Sequence, residues 1–124
     1  MVETNEADKK FQKELNAGTS AIVLLSILNR AAKPMYGYQI AKHIEAFIET
    51  MPMTHGALYP ILRSLESSGL LKSEVAPSVS GPPRRYYKIT GAGHETLKRW
   101  TDIWSQIKVF VDVILKGEND DTEY

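Results

Sequence analysis

The sequence predicts a mainly α-helical fold with a small β-hairpin. Three segments repeat apolar residues every three or four positions, which is the helical period, and a fourth segment, near residues 19–32, has apolar residues all around a helix axis. Two short runs rich in Val, Ile and Tyr flank the stretch APSVSGPPR, whose Pro, Ser and Gly residues end regular structure. The predicted order is therefore three helices, a hairpin and a long final helix.

The first predicted helix begins at Thr19 or Ser20, either of which can act as its N-cap, and runs to about Ala32. Residues 1–18 have few apolar side chains and are expected to form an N-terminal arm or a short helix. A strand is the alternative for AIVLLSIL within this segment, but the capping residues and the length favour a helix.

A turn at Met35–Gly37 leads to the second predicted helix, Tyr38 to about Thr50. Thr54 is the expected N-cap of the third helix, and Gly69 suits its left-handed C-cap. Pro60 lies inside the third helix, although proline lacks the N–H that a helix needs. Either Pro60 bends the first turn and steers side chains outward, or it only tightens a local turn.

Leu71–Val75 and Arg85–Ile89 are the predicted strands of the hairpin. Thr90 then caps the last helix, Gly91–Lys116, and Gly117 ends it. Apolar residues in this helix are spaced 3, 4, 3, 4 and 3 apart, which is the a/d seam of a coiled coil.

A domain this small cannot cover the whole seam of a helix roughly 39 Å long, so the seam predicts a homodimer. The predicted dimer interface consists of Ile22, Leu25, Leu97, Trp100, Ile103, Trp104, Ile107, Phe110, Val111 and Ile114. Residues 19–90 are thus expected to form a winged helix-turn-helix and residues 91–117 a dimerisation helix, with an acidic, disordered tail at 118–124.

Charge divides the chain in the same way. The chain has 124 residues, with 15 Lys plus Arg and 15 Asp plus Glu, so its formal net charge is zero. Residues 19–90 nevertheless contain eight basic and four acidic residues, a net charge of +4, whereas both flanks are net negative. The middle is the part that attracts phosphate, which fits a helix-turn-helix that binds double-stranded DNA.

Composition also narrows the setting. There is no cysteine, so no disulfide framework or thiolate chemistry is available. The charged start MVETNEADKKFQKE does not resemble a signal peptide, and the apolar run AIVLLSIL is far shorter than the roughly 20 residues that span a bilayer. A cytoplasmic protein without a membrane segment is expected.

Three motifs carry a family resemblance: YGYQI at 36–40, GALYPILRSLESSGLL at 56–71, and PRRYYKIT followed by GAG at 83–93. In combination they resemble the PadR-like winged-helix transcriptional regulators, over roughly residues 19–116. The single final helix resembles the shorter branch of that family. The resemblance implies a dimeric regulator, most often a repressor, that binds a palindromic operator.

In such a module the third helix enters the major groove, while the second helix and the wing contact phosphate. The predicted DNA-binding residues are Tyr38, Gln39, Lys42, Thr54, His55, Tyr59, Arg63, Arg84, Arg85 and Lys88. Alternatives stay open for several of them. Arg63 can instead pair with Glu66 or Glu45, Tyr59 can pack beside Leu58, and basic wing residues can merely solubilise the hairpin. Tyr36 fits either phosphate binding or the core.

Trp100 and Trp104 lie on one face of the last helix and are core residues of the interface by default. The resemblance implies a second role, because in some family members aromatic residues of the terminal helices line a cavity between subunits. Planar aromatic effectors stack there and release DNA. A small aromatic effector is therefore a possible partner.

No motif supports catalysis, a cofactor or a metal. His43, His55 and His94 lie far apart in the sequence, and GAG lacks the further glycine of a phosphate loop. Two alternatives to a DNA-binding regulator stay open. One is a winged-helix protein–protein adaptor without strong DNA binding, which the zero net charge favours, and the other is a dimeric sensor in which DNA binding is secondary.

Overall fold

The computed structural model describes residues 5–46 and 55–117, and it confirms a mainly helical winged helix-turn-helix with a small sheet. Its elements are α1 (Glu6–Arg30), β1 (Met35–Tyr36), α2 (Gly37–Glu45), α3 (His55–Ser67), β2 (Leu71–Ala76), β3 (Arg84–Ile89) and α4 (Gly91–Lys116). The strands form one antiparallel sheet in the order β1-β3-β2. The predicted cap Thr54 and the predicted end of the second helix at Thr50 lie outside the described residues.

The predicted start of the first helix is wrong, because α1 begins at Glu6 and runs unbroken for 25 residues. Asn5 is the actual cap, since its side-chain oxygen accepts a hydrogen bond from the Ala7 N–H at 2.7 Å. The Thr19 hydroxyl donates instead to the Leu15 carbonyl at 2.9 Å, within the helix. Most of the predicted arm is therefore the first half of α1.

Met35 and Tyr36 form a third strand where the sequence predicted only a turn. They pair with Tyr87 and Tyr86 of β3, which gives the hairpin a short additional edge. Directly after this strand α2 begins, and the Gln39 side-chain oxygen accepts from the Tyr36 N–H at 3.1 Å. The start of α2 is thereby fixed to the sheet.

The core lies between α1, α2, α3 and the inner face of the sheet. Its fully buried side chains are Leu24, Leu25, Ile40, Leu58, Leu62 and Leu71. Two residues predicted for the dimer interface belong to this core, since Leu25 is 0% exposed and Leu97 is 8% exposed in the single chain. A side chain that its own protomer covers has no surface to offer a partner, so both are removed from the predicted interface.

A compact junction joins the end of α3 to the start of α4. Gly69 adopts a φ of 79°, and the next N–H, that of Leu70, donates to the Leu65 carbonyl at 2.9 Å, as in a Schellman C-cap. The Thr90 hydroxyl donates to the Gly69 carbonyl at 2.7 Å and accepts from the Gly93 N–H at 2.9 Å. Both predicted caps are confirmed, and they are bonded to each other.

The outer part of α4 extends beyond the core and ends at Gly117, whose φ of 66° confirms the predicted left-handed stop. Its apolar seam is largely uncovered in the single chain. The large side chains exposed along it are Ile103, Trp104, Ile107, Phe110, Val111 and Ile114. This is a long unburied apolar stripe for a chain of this size.

We expect Gly93→Ala to destabilise the fold by roughly 2 kcal/mol, because a Cβ there would overlap the Leu70 carbonyl and the Ile89 side chain. Gly91→Ala is the matched control, since a Cβ at Gly91 meets nothing within 4 Å. Chemical denaturation at one fixed protomer concentration measures both. Equal stabilities of the two variants would contradict the packing described for this junction.

Candidate nucleic-acid interface

An open cleft of about 620 Å³ lies between the start of α2, the outer face of α3 and the wing, which is the hairpin of β2, β3 and residues 77–83. Helix, strand and loop all contribute to its walls. The lining residues are Tyr36, Gly37, Tyr59, Arg63, Glu66, Pro83, Arg84, Arg85 and Tyr87. The cleft is therefore aromatic and carries three guanidinium groups against one carboxylate.

In the described part of the chain, no carboxylate forms an ion pair with an arginine of the cleft. Among the described residues, none of the ion pairs within 4.0 Å includes Arg63, Arg84 or Arg85. Glu66 accepts a hydrogen bond from Ser73 at 2.7 Å and forms no such pair with Arg63. The alternative that Arg63 is occupied by Glu66 or Glu45 is thus not what the structure contains, and the arginines can meet an external anion.

Aromatic contacts connect the wing to the start of α2. The rings of Tyr36 and Tyr86 meet edge to face with centroids 5.4 Å apart, and Tyr36 stacks on Tyr38 at 6.4 Å. The Arg84 guanidinium lies 4.4 Å from the centre of the Tyr36 ring, which is cation–π distance. Tyr36 is half-buried by these contacts and has a structural role that orients Arg84.

Lys42 and Tyr38 form an exposed pair one turn apart on α2. The Lys42 ammonium lies 5.3 Å from the centre of the Tyr38 ring and 3.4 Å from the Glu45 carboxylate. Its hydrogen bonds with Tyr38 and with Glu45, together with the charge of Glu45, raise the pKa of Lys42 above its ordinary value. The Gln39 side-chain oxygen accepts one hydrogen bond from the Tyr36 N–H, which orients its amide N–H groups away from that contact.

Tyr59 lies on the outer face of α3 with its ring against Gly37, and it is 40% exposed. A Cβ at Gly37 would come within 2.5 Å of the Tyr59 ring and hydroxyl. The missing side chain therefore makes room for the ring. Tyr59 is partly packed and partly exposed, so the two alternatives that the sequence left open, a packing role and a DNA contact, are compatible.

The remaining predicted DNA-binding residues are scattered with respect to the cleft. Lys88 lies apart from Arg84 and Arg85, opposite Lys72 on the neighbouring strand, and both lysines are exposed. His55 begins α3, but its side chain and the whole of Thr54 are outside the described part of the chain. Pro60 lies within a continuous α3 and is exposed.

Ser73 was not predicted to belong to the site, and Glu66 was considered only as a partner of Arg63, not of Ser73. Arg85 donates to the Ser73 hydroxyl at 2.9 Å, and Ser73 in turn donates to Glu66, so one hydroxyl joins α3, β2 and β3. The period of two in β2 does place Ser73 on the same side as buried Leu71. Which helical carboxylate it meets is a tertiary contact that no local pattern encodes.

A second, nearly apolar groove of about 490 Å³ lies between α1 and α4. Its walls are Glu14, Leu15, Ala17, Gly18, Thr19, Ala21, Ile22, Trp100, Ile103, Trp104 and Ile107. Both tryptophans and Ile22, which were predicted from the seam, therefore line one continuous surface. That surface opens to solvent in the single chain.

Within residues 5–46 and 55–117, no group of three or more His, Asp or Glu side chains is placed to hold a metal ion. In the same ranges, no helix combines the length and apolarity that crossing a bilayer requires.

The chain belongs to the PadR-like transcriptional regulator family, whose sequence profile matches residues 24–99. It is similar to the crystal structure of a PadR family transcriptional regulator from Eggerthella lenta DSM 2243, with 34% identity and a TM-score of 0.74 over 86% of this chain and 90% of that one. Members of the family are DNA-binding regulators of transcription, typically dimers, and not enzymes.

Two further solved structures from this family are also similar to the chain. A PadR-like transcription factor from Bacteroides fragilis is 28% identical over 85% of this chain and 98% of that chain, with a TM-score of 0.68. A PadR family regulator from Clostridium difficile R20291 is 33% identical over 77% of this chain and 96% of that chain, with a TM-score of 0.64. The residues that the family profile matches, 24–99, include α2, α3, the wing and the start of α4.

We expect Gly37→Ala to weaken DNA binding by roughly fivefold, the equivalent of one lost contact of about 1 kcal/mol, because the new Cβ displaces the Tyr59 ring. The ring is part exposed and can rotate away, so the unfolding free energy should change by less than about 1 kcal/mol. Fluorescence anisotropy with a labelled duplex and a thermal melt measure the two effects. If Tyr59 mediates the loss, Gly37→Ala has no further effect in a Tyr59→Ala background, whereas an additive loss would contradict this.

Proposed function

We propose that the protein is a homodimeric transcriptional repressor that binds a palindromic operator with two copies of the cleft region. Residues 19–90 form each DNA-binding unit and residues 91–117 the dimerisation helix. The observation that carries the proposal is the set of arginines in the cleft, unpaired with any described carboxylate and adjacent to the outer face of α3.

In this proposal α3 lies in the major groove, where Arg63 and Tyr59 reach base edges. Thr54 and His55, predicted from the sequence, are further proposed contacts in that groove. Arg84 and Arg85 neutralise phosphates beside the groove. Tyr38, Gln39 and Lys42 contact the backbone from the start of α2, and Lys88 adds charge farther along β3, on the face of the strand that carries Arg84. The neutral average of the chain does not oppose this, because the acidic residues are concentrated outside the DNA-binding unit.

Dimerisation rests on the uncovered seam of α4. Ile103, Ile107 and Phe110 are each more than half exposed, and so large an apolar stripe needs a partner surface. Trp100, Trp104, Val111 and Ile114 extend the same face, and Ile22 of α1 lies at its edge. A two-fold symmetric pair places one reading unit on each half of a palindrome, and a dimer bound there blocks access to the promoter.

We further propose that the groove between α1 and α4 takes a planar aromatic effector in the dimer. Its lining is almost wholly apolar and includes two indole rings, the surface on which an aromatic ring stacks. A ligand there touches the helices that set the spacing of the two reading units. Binding would then release DNA.

The DNA-binding proposal is tested by the double variant Arg84→Ala and Arg85→Ala. It should bind every duplex more weakly, and log affinity should fall less steeply with log salt by roughly 3 to 4, because four phosphate contacts per dimer are lost. The control is Lys98→Ala with Lys108→Ala, which removes two cations that pair with carboxylates of α4 itself. Mobility shifts over a range of salt measure the slope, and identical slopes for all three proteins would contradict the assignment of the wing.

The effector proposal predicts saturable quenching of tryptophan fluorescence by at least one compound of a panel of planar aromatics, with release of DNA over the same concentrations. Trp104→Leu should abolish the saturation, because it removes one stacking surface from the groove. Quenching that stays linear with concentration for the whole panel would contradict an effector site.

A further inference from the structure

One hydroxyl connects the recognition helix to both strands of the wing. The Arg85 guanidinium donates to the Ser73 oxygen at 2.9 Å, and the Ser73 O–H donates to the Glu66 carboxylate at 2.7 Å. A serine hydroxyl has one proton, which Ser73 donates to Glu66, so towards Arg85 the Ser73 oxygen acts only as an acceptor. The partners come from α3, β2 and β3.

The partners at both ends are ionised, which makes these charge-assisted hydrogen bonds, stronger than bonds between neutral groups. Glu66 and Ser73 are half-buried, so competition from water is reduced. Arg85 is the next-but-one neighbour of Ser73 across the sheet, because Val75 pairs with Arg85 and Ser73 with Tyr87. A diagonal contact of this kind is within reach of a long side chain.

The spacer also preserves the charge of Arg85. A direct, bidentate pair with Glu66 would occupy two N–H groups and neutralise the guanidinium. Through Ser73, the protein uses one of the five N–H groups of Arg85, and Arg85 lines the cleft with the others available for a ligand. Ser73 therefore orients Arg85 while most of the N–H groups of its guanidinium stay available to bind DNA.

Ser73 lies beside the buried Tyr87 and the carboxylate of Glu66. Tyr87 lies next to Ser73 across the sheet, and its burial, together with the charge of Glu66, raises the pKa of its hydroxyl. Glu66 is the one carboxylate among the described lining of the cleft.

We propose that Ser73 and Glu66 are positioning residues that hold Arg85 and the wing at a fixed angle to α3, so that sequence-specific binding depends on them more than nonspecific binding does. This rests on the proposed DNA-binding function. Nonspecific binding needs positive charge near phosphate, which a loosened wing still supplies. Specific binding needs the base contacts of α3 and the phosphate contacts of the wing in one register.

The test uses the intact protein and two duplexes: the one most enriched by the wild type from a random library, and a scrambled version of it. Ser73→Ala should weaken binding to the enriched duplex about tenfold, the worth of one hydrogen bond to a charged group, and to the scrambled duplex less than about twofold. Ser73→Thr, which keeps the hydroxyl, should restore affinity. Ser80→Ala in the exposed wing tip is the matched control and should bind as the wild type does.

A double-mutant cycle separates positioning from general damage. In an Arg85→Ala background, adding Ser73→Ala should cost clearly less than it does alone, because the part of its effect that acts through Arg85 is already lost and only the direct Ser73–Glu66 link remains to be broken. Glu66→Gln should behave as Ser73→Ala does, but more mildly, because an amide oxygen still accepts the bond.

Equal weakening on both duplexes, additive losses in the cycle, or a Ser73→Ala variant that binds as the Ser80→Ala control does would each overturn the inference while leaving DNA binding intact. A wild-type protein that enriches no duplex would instead overturn the proposed function, and this inference with it.

Discussion

The junction between Gly69 and Thr90 is the constraint on which the rest of the structure depends. Helix α3 faces the proposed DNA site and α4 carries the dimer seam, so the bonds between their ends fix one relative to the other. The Thr90 hydroxyl is shared between the two helix caps, and Leu70 presents its carbonyl to the Thr90 N–H at 3.1 Å. Gly93 has no side chain because that carbonyl lies against it. A rigid junction is what allows a dimer contact to set the spacing of two DNA-binding units.

The wing is attached to the helices on both of its faces. On one face the Arg84 guanidinium lies over the Tyr36 ring, and on the other Arg85 reaches Glu66 through Ser73. Both arginines thus keep their charge while their orientation is restricted, which lowers the entropy that DNA binding must remove. A chain with no net charge can in this way present a strongly cationic site, since what matters is where its charges lie.

Helix periods, caps and turn residues encode local structure, and the sequence therefore predicted the element types, the hairpin, the limits of α4 and the caps at Gly69, Thr90 and Gly117. It failed where tertiary context decides. Thr19 looks like a cap but bonds back within α1, and the strand at Met35 exists only because Tyr87 is there to pair with it. Leu25 followed the apolar pattern of an interface residue, and only packing shows that its own protomer buries it.

The candidate site was also predictable only in part, because local sequence signals identify its basic residues but not its tertiary contacts. Basic residues near the third helix and on the wing could be named from charge and position, but Ser73, Gly37 and the aromatic contacts of Tyr36 act through neighbours distant in sequence. Lys88 shows the converse, because it shares a face of β3 with Arg84 but lies four residues farther along the strand, opposite Lys72, and does not line the cleft.

The most direct test of the account is the mass of the protein alone and bound to its enriched duplex, measured by sedimentation equilibrium at micromolar concentration. The account predicts two protomers per particle in both states, since the exposed seam of α4 needs a second copy and a palindrome needs two reading units. A stable monomer that binds DNA one to one would contradict it.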